Sequence, residues 1–398
     1  MAGPDPLLAW RSEFPIAERT RYLINNSLGA MPKSARASMQ RYLDLWDSRG
    51  VRAWGDEWWA LQERVGDSLA SVLGVPAGTV SMHQNVAIAT EMIASCFRFE
   101  GKRNKIVLVE PEFPSVRYLW ESLRSQGAEV VVVPGDADGI GVDQERFLAA
   151  IDERTLLVPV SHVLFRSAFI QDAEAIVRRA NAVGALVILD VFQSVGTLPL
   201  KLEQWGVHAA VGGALKFLCG GPGNCFLYVA KDLREKLVPR FTGWAAHKQP
   251  FAFAPTQDLR SDGQRFAHGT PNVPALYAGR EGIRIVAEIG LEAIRKKSMR
   301  QTALLVEKAR ALGFKICAPL DPARRGGTVA VDVPDGYAVC QVLNAEDYVC
   351  DHRPQGGIRL APHFYTKDEE CVAVLERMAE ILRTKAHSRF VGQERKPG

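Results

Sequence analysis

Two apolar runs decide the fold: ALVILDV at residues 185–191 and AAVGGAL at residues 209–215. Neither alternates apolar with polar residues, so each predicts a strand buried on both faces. Each also leads to a residue able to do chemistry, Asp190 within the first and Lys216 directly after the second. Five further runs share the pattern: VSMHQ from Val80, KIVLVE from Lys105, EVVVVP from Glu129, LLVPVSHV from Leu156 and CFLYVA from Cys225. Between them lie amphipathic stretches such as SVRYLWESLRSQG and DAEAIVRRANAVG, closed by Gly127 and Gly184 at helix ends. Repeated strand–helix–strand units predict an α/β fold with a mainly parallel seven-stranded sheet covered by helices.

After Pro271 the pattern changes. One long helical stretch over residues 273–313 precedes strands at FKICAP and GGTVAVDVP, and two more helical stretches flank GGIRLAPHFY. This is an α+β pattern and predicts a second, smaller domain. The expected division is an N-terminal segment joining the small domain (1–50), a large cofactor-binding domain (51–270) and a small C-terminal domain (271–398).

Composition narrows the function. The chain has 398 residues, with 49 Lys+Arg against 45 Asp+Glu, a net charge of +4 and no basic block, which argues against a nucleic-acid partner. Mean hydropathy is −0.06 and no apolar run approaches the ~20 residues that span a bilayer, so no membrane partner is expected. MAGPDPLLAWRSEFP lacks the basic and apolar regions of a signal peptide. The seven cysteines are scattered, with no C-x-x-C pair, and fit reduced thiols in a cytoplasm. No metal-ligand spacing, G-x-S-x-G elbow or P-loop is present, so a metal site, a serine hydrolase and a P-loop NTPase are not expected.

In open α/β sheets ligands bind beyond the carboxyl ends of the strands. Asp190 and Lys216 both fall at such ends. Pyridoxal 5'-phosphate is the cofactor that needs this pair: lysine forms the covalent link, and aspartate holds the ring nitrogen protonated so that the ring accepts electrons. The phosphate is expected at the start of the helix after His83-Gln84-Asn85, at Asn85 and Val86, where unpaired N–H groups favour an anion. His162, at the end of a strand, is a further candidate for the pocket wall.

From about Tyr22 to about Tyr365 the sequence resembles the fold type I pyridoxal-phosphate enzymes of the class V aminotransferase group, most closely the kynureninases. YLINNSLGAMP from Tyr22 resembles their entry segment, with Asn26 and Ser27 in its N-S-L-G. VEPEFPS from Val109 resembles the strand carrying the ring-stacking aromatic, here Phe113. LDVFQSVGTLPL from Leu189 and LKFLCGGPG from Leu215 resemble the aspartate and lysine segments. TGWAAH from Thr242 and FAHGTPNV from Phe266 resemble segments that reach the cofactor phosphate across a homodimer, through Trp244 and Thr270. DHRPQGGIRLAPHFY from Asp351 resembles the segment whose arginine, here Arg359, grips the substrate carboxylate. The resemblance implies the type I fold, Lys216 and Asp190 as catalytic residues, and a small amino-acid substrate held by Arg359, Asn26 and Ser27.

Several positions depart from the kynureninase pattern. A tyrosine that binds phosphate and takes part in acid catalysis is Leu215, which has no titratable proton. A histidine after the aspartate is Gln193, the residue usual in the wider class V group and counted here among the cofactor contacts. Val116 and Val86 replace an aspartate and a threonine, and Asp47 aligns with an active-site histidine. The expected activity is therefore kynureninase-type hydrolysis or lysis at Cβ, with a class V aminotransferase or C–S lyase as the alternative. Cys350 is read as a structural thiol, because YVCDHRP lacks the small residues of a mobile catalytic loop.

Overall fold

The computed structural model describes residues 5–393; residues 1–4 and 394–398 of the expected first and last units lie outside that range, as do the first residues of the segment read as lacking a signal peptide. The chain opens with 3-10 turns, a short strand β1 (Arg21–Tyr22) and α1 (Ser34–Arg49). After α2 (Trp59–Leu73) the seven apolar runs become one sheet: β2 (Val80–His83), β3 (Lys105–Val109), β4 (Glu129–Val133), β5 (Thr155–Ser161), β6 (Leu186–Asp190), β7 (Ala209–Gly213) and β8 (Cys225–Val229). Their order is β2-β8-β7-β6-β5-β3-β4. Neighbours from β7 through β4 run parallel, and β8 runs antiparallel to both β7 and β2.

Alternate side chains on these strands enter opposite cores, as the two-residue period requires. Val187 and Leu189 join Val107, Val109, Val158 and Val160 under α2 and α6 (Ala173–Val183). Ile188 joins Ile106, Leu108 and Leu157 on the other face, beneath Met92 and Ile93 of α3 (Val86–Ala94) and Trp120 of α4 (Pro114–Ser122). Fully burying each such aliphatic side chain stabilises by roughly 1.5–3 kcal/mol, so continuous apolar runs are what a doubly covered sheet selects. Two short helices, α5 (Gln144–Ala149) and α7 (Lys231–Arg234), complete this part.

The single helical stretch expected over 273–313 is two helices, α8 (Val273–Ile289) and α9 (Leu291–Ala311). The break falls at Gly290, where φ is 83° and ψ 138°, backbone that side-chain-bearing residues rarely adopt. Helical periodicity continues through the glycine, which is why the sequence conceals the corner. Beyond it, β9 (Lys315–Ile316), β10 (Val329–Asp332), α10 (Gly336–Ala345), β11 (Tyr348–Val349), β12 (Asp351–Arg353), β13 (Gly357–Leu360) and α11 (Asp368–Thr384) follow. A four-stranded antiparallel sheet, β12-β13-β10-β9, packs Val329, Val331, Ile358 and Leu360 against Leu305, Val339 and Met378 from the helices. The entry segment is sewn to this part: β1 pairs parallel with β11, and Ile24 bridges to Ala361.

Gly290→Ala is expected to lower stability by about 1–3 kcal/mol, the cost of a side chain in that backbone region. A urea unfolding midpoint unchanged from the parent would contradict this account of the corner.

Candidate active site

At one edge of the large sheet the register brings strand ends together. Gly213 of β7 pairs with Cys225 of β8, which also pairs with His83 of β2, and Ser161 of β5 lies opposite Asp190 of β6. A cavity of about 330 Å³ opens there. Of the residues proposed from sequence, Asn85, Val86, Phe113, Asp190, Gln193 and Lys216 line it, and so does Leu215. Asn85 caps α3 by accepting from Ile88 N at 3.0 Å, leaving the first backbone N–H groups of that helix at the cavity wall. The Phe113 ring is 41% exposed, so it offers a flat face instead of filling a core.

Electrostatics set Asp190 and Lys216 apart from ordinary surface charges. Burial pushes the Asp190 carboxyl up to about 6, opposed by a hydrogen bond from Phe192 N at 2.8 Å and by Lys216. Burial pulls the Lys216 amine down to about 8, opposed by Asp190 and assisted by Arg359. The amine lies 4.5 Å from the Phe192 ring centroid and 5.6 Å from that of Phe113. A nucleophilic amine, a buried carboxylate, an open aromatic face and a helix N-terminus around one cavity form a donor set that suits an aromatic aldehyde phosphate. The backbone of the lysine is held by close approach of the entry segment. Gly29 N donates to Leu215 O at 2.9 Å, and a methyl on Gly29 would come within 2.0 Å of Lys216 O.

Other proposed residues lie elsewhere. His162 is a correction: it does not line the cavity, because strand alternation turns Ser161 and Val163 to that side. Its ring packs edge-on against Trp205, with centroids 5.5 Å apart, and burial lowers it to about 4. Trp244 also stands away from this cavity, packed on Trp59, Phe251 and Phe253. Thr270 lines a second cavity of about 320 Å³ that shares Gln84 and Gly223 with the first. Arg359 is buried one layer behind the wall. Its Nε donates to Asp351 Oδ1 at 2.8 Å, Nη2 to Asp351 Oδ2, and Nη1 to Phe165 O at 2.7 Å. The Asn26 carboxamide, with its oxygen turned to the guanidinium, accepts from Nε and Nη1 at 3.1 Å, and Gln193 Nε2 donates to Asn26 O at 3.1 Å. Ser27 bonds through its backbone N to Ile24 O and is absent from the cavity wall. Cys350 is buried beside Cys340, with 3.8 Å between the sulfurs.

Sequence reasoning missed Ser161, Phe192, Asn224 and Cys225 on the cavity wall. Ser161 was within reach of it, since the alternation that removes His162 selects its neighbour.

The chain belongs to the aminotransferase class-V family, whose pattern matches residues 21–349. It is a pyridoxal-phosphate-dependent class V enzyme of fold type I. Along its length it is similar to the kynureninase of Burkholderia pseudomallei, at 29% identity over 96% of this chain and 94% of that one. The fold is that of a cysteine desulfurase from Thermococcus onnurineus NA1 (TM-score 0.84, 20% identity, 96% and 99% of the two chains). It is equally that of C-DES, in a mutant form with glycine covalently linked to its pyridoxal-phosphate cofactor (TM-score 0.85, 20% identity, 93% and 99%). Among the described residues no helix is long and apolar enough to cross a membrane.

Lys216→Ala is expected to abolish the yellow, borohydride-bleachable colour of the loaded protein. In the parent, covalent capture of added cofactor by cofactor-free protein should accelerate as pH rises through about 8 and then level off, because the neutral amine is the nucleophile. A rate that climbs only above about pH 10 would show an ordinary lysine.

Proposed function

We propose that this enzyme acts on an α-amino acid and cleaves at Cβ as a hydrolase or lyase of the kynureninase type, on kynurenine or a related substrate. The observation that carries the reading is end-to-end similarity to kynureninases, with few residues of either chain left unmatched. Bound pyridoxal phosphate supplies an electron sink conjugated to the substrate Cα. Asp190 would keep the ring nitrogen protonated, and its burial would strengthen that ion pair. Lys216 would tether the cofactor, and its amine, when free, would take and return a proton at the substrate Cα; an amine titrating near 8 suits that work at neutral pH. Phe113 would stack on the ring, Gln193, Asn85 and Val86 would hold its polar edge and phosphate, and Arg359 would take the substrate carboxylate. Asp351 holds the Nε edge of that guanidinium and Phe165 O takes one Nη1 hydrogen, so one hydrogen on each terminal nitrogen is left to grip a carboxylate, with Asn26 giving way.

Leu215 cannot donate a proton to a leaving group. Ser161 and Cys225 are proton-bearing groups on the same wall, and burial holds the Cys225 thiol up at about 12, so it stays protonated. A second reading, transamination, is favoured by Leu215 together with Gln193. We further propose a cytoplasmic homodimer in which Trp244 and Thr270 complete the partner's site, and a large domain spanning 51–270 with residues 1–50 and 271–398 forming the rest. The exposed Trp244, Phe251 and Phe253 cluster supports an interface there, and seven free thiols support a reducing compartment.

Incubation with kynurenine is expected to release anthranilate and alanine; amino transfer dependent on a keto acid, without anthranilate, would instead establish the second reading. Arg359→Gln should reduce kcat/KM by about 10²-fold, through the loss of charge-assisted hydrogen bonds of ~1.5–3 kcal/mol each, while the loaded protein keeps its borohydride-bleachable colour. Unchanged kcat/KM would remove Arg359 from the carboxylate site.

A further inference from the structure

Glu112 stands immediately before Phe113, is 4% exposed and is absent from the cavity wall. Its Oε1 accepts from Ser161 N at 2.9 Å, and its Oε2 meets the Ser161 hydroxyl in a short contact. Gln171 Nε2 grips the carbonyl of the same serine at 2.6 Å. Ser161 itself faces the cavity, opposite Asp190 in the β5–β6 register. We propose that Glu112 is a positioning residue that sets which way the Ser161 hydroxyl proton points at the cofactor cavity. The inference rests on the cofactor and is independent of the reaction assigned.

The donor inventory of the two groups gives the logic. When Glu112 is ionised, Ser161 Oγ–H donates to it and the serine turns lone pairs toward the cavity. When Glu112 holds a proton, the carboxyl donates to Ser161 Oγ and the serine O–H is released toward the cavity. Ser161 thus presents an acceptor in one state and a donor in the other, without moving a backbone atom.

The surroundings bring that switch into the neutral range. Burial raises the Glu112 carboxyl to about 7, the Asp190 charge on β6 adds to the rise, and the two Ser161 bonds oppose it. Lys216, from beyond β7, acts on Asp190. On the segment of Glu112 itself, Glu110 turns away to accept from Gly135 N at 3.0 Å. On β5, the neighbouring His162 lies on the opposite face against Trp205.

The test measures the dissociation constant of pyridoxal phosphate and the absorption of the bound form from pH 5.5 to 9, in the parent, Glu112→Gln, Ser161→Ala and the double variant. Glutamine keeps an oxygen for Ser161 N–H and donates an N–H to Ser161 Oγ, so it copies the protonated state at every pH. The ratio of E112Q to parent dissociation constants contains the effect of the serine hydroxyl and the direct effect of the Glu112 charge on Asp190, whereas the same ratio in the S161A background contains only the second. That ratio should lie near one at pH 6 and change at least threefold by pH 8, with a midpoint near 7. In the S161A background, adding E112Q should leave only the effect of the charge on Asp190, a change well below threefold between pH 6 and 8. A ratio independent of pH, or an E112Q effect as large without the serine hydroxyl as with it, overturns the proposal. If E112Q does not fold by thermal melting, the ratio of S161A to parent must itself bend between pH 6 and 8, and a flat ratio overturns it equally.

Discussion

A carboxylate and an amine, both taken out of water at the ends of adjacent parallel strands, constrain the rest of this molecule. Moving a charge into a protein interior carries an effective penalty of several kcal/mol, and Asp190 and Lys216 each offset part of the penalty of the other. That mutual support holds only while β6 and β7 keep their register and both cores exclude water. The aliphatic runs are therefore electrostatic insulation as well as packing. They keep the lysine near 8 and the aspartate near 6, each closer to neutrality than the same group in water, where an amine titrates near about 10.4 and a carboxyl near about 3.9.

The fold was legible because its strands are covered on both faces, which leaves a signal of uninterrupted Val, Ile and Leu in the chain itself. Strand order was not, since pairing between β8 and β2 joins residues more than a hundred positions apart and nothing local encodes it. Within the site, residues at strand ends and helix starts were legible by position. Ser161 and His162 show the limit: the two adjoin, and only the pleat decides which one meets the cavity. Glu112 was hidden for a different reason. A glutamate between Pro111 and Phe113 reads as solvated, and only long-range packing of the β3–α4 turn against the end of β5 encloses it.

Arg359 shows how a charged residue can be held ready without lining a cavity. Asp351 neutralises it, Phe165 O and Asn26 occupy further donors, and Arg353 adds a second cation to Asp351 at 2.9 Å. A planar guanidinium fixed along one edge keeps its orientation with little loss of side-chain entropy on binding. Its neighbour Asn26 belongs to the same short segment that packs on the lysine, so the placement of the guanidinium and of the amine share one stretch of backbone.

That stretch acts as a tether between two sheets. Its beginning is a strand partner of β11 and a bridge to Ala361, and its end presses Gly29 onto the carbonyl of Lys216 with no room for a single methyl group. A rigid connector anchored at both ends transmits displacement. The spacing of the two sheets is therefore coupled mechanically to the lysine backbone through a single short segment.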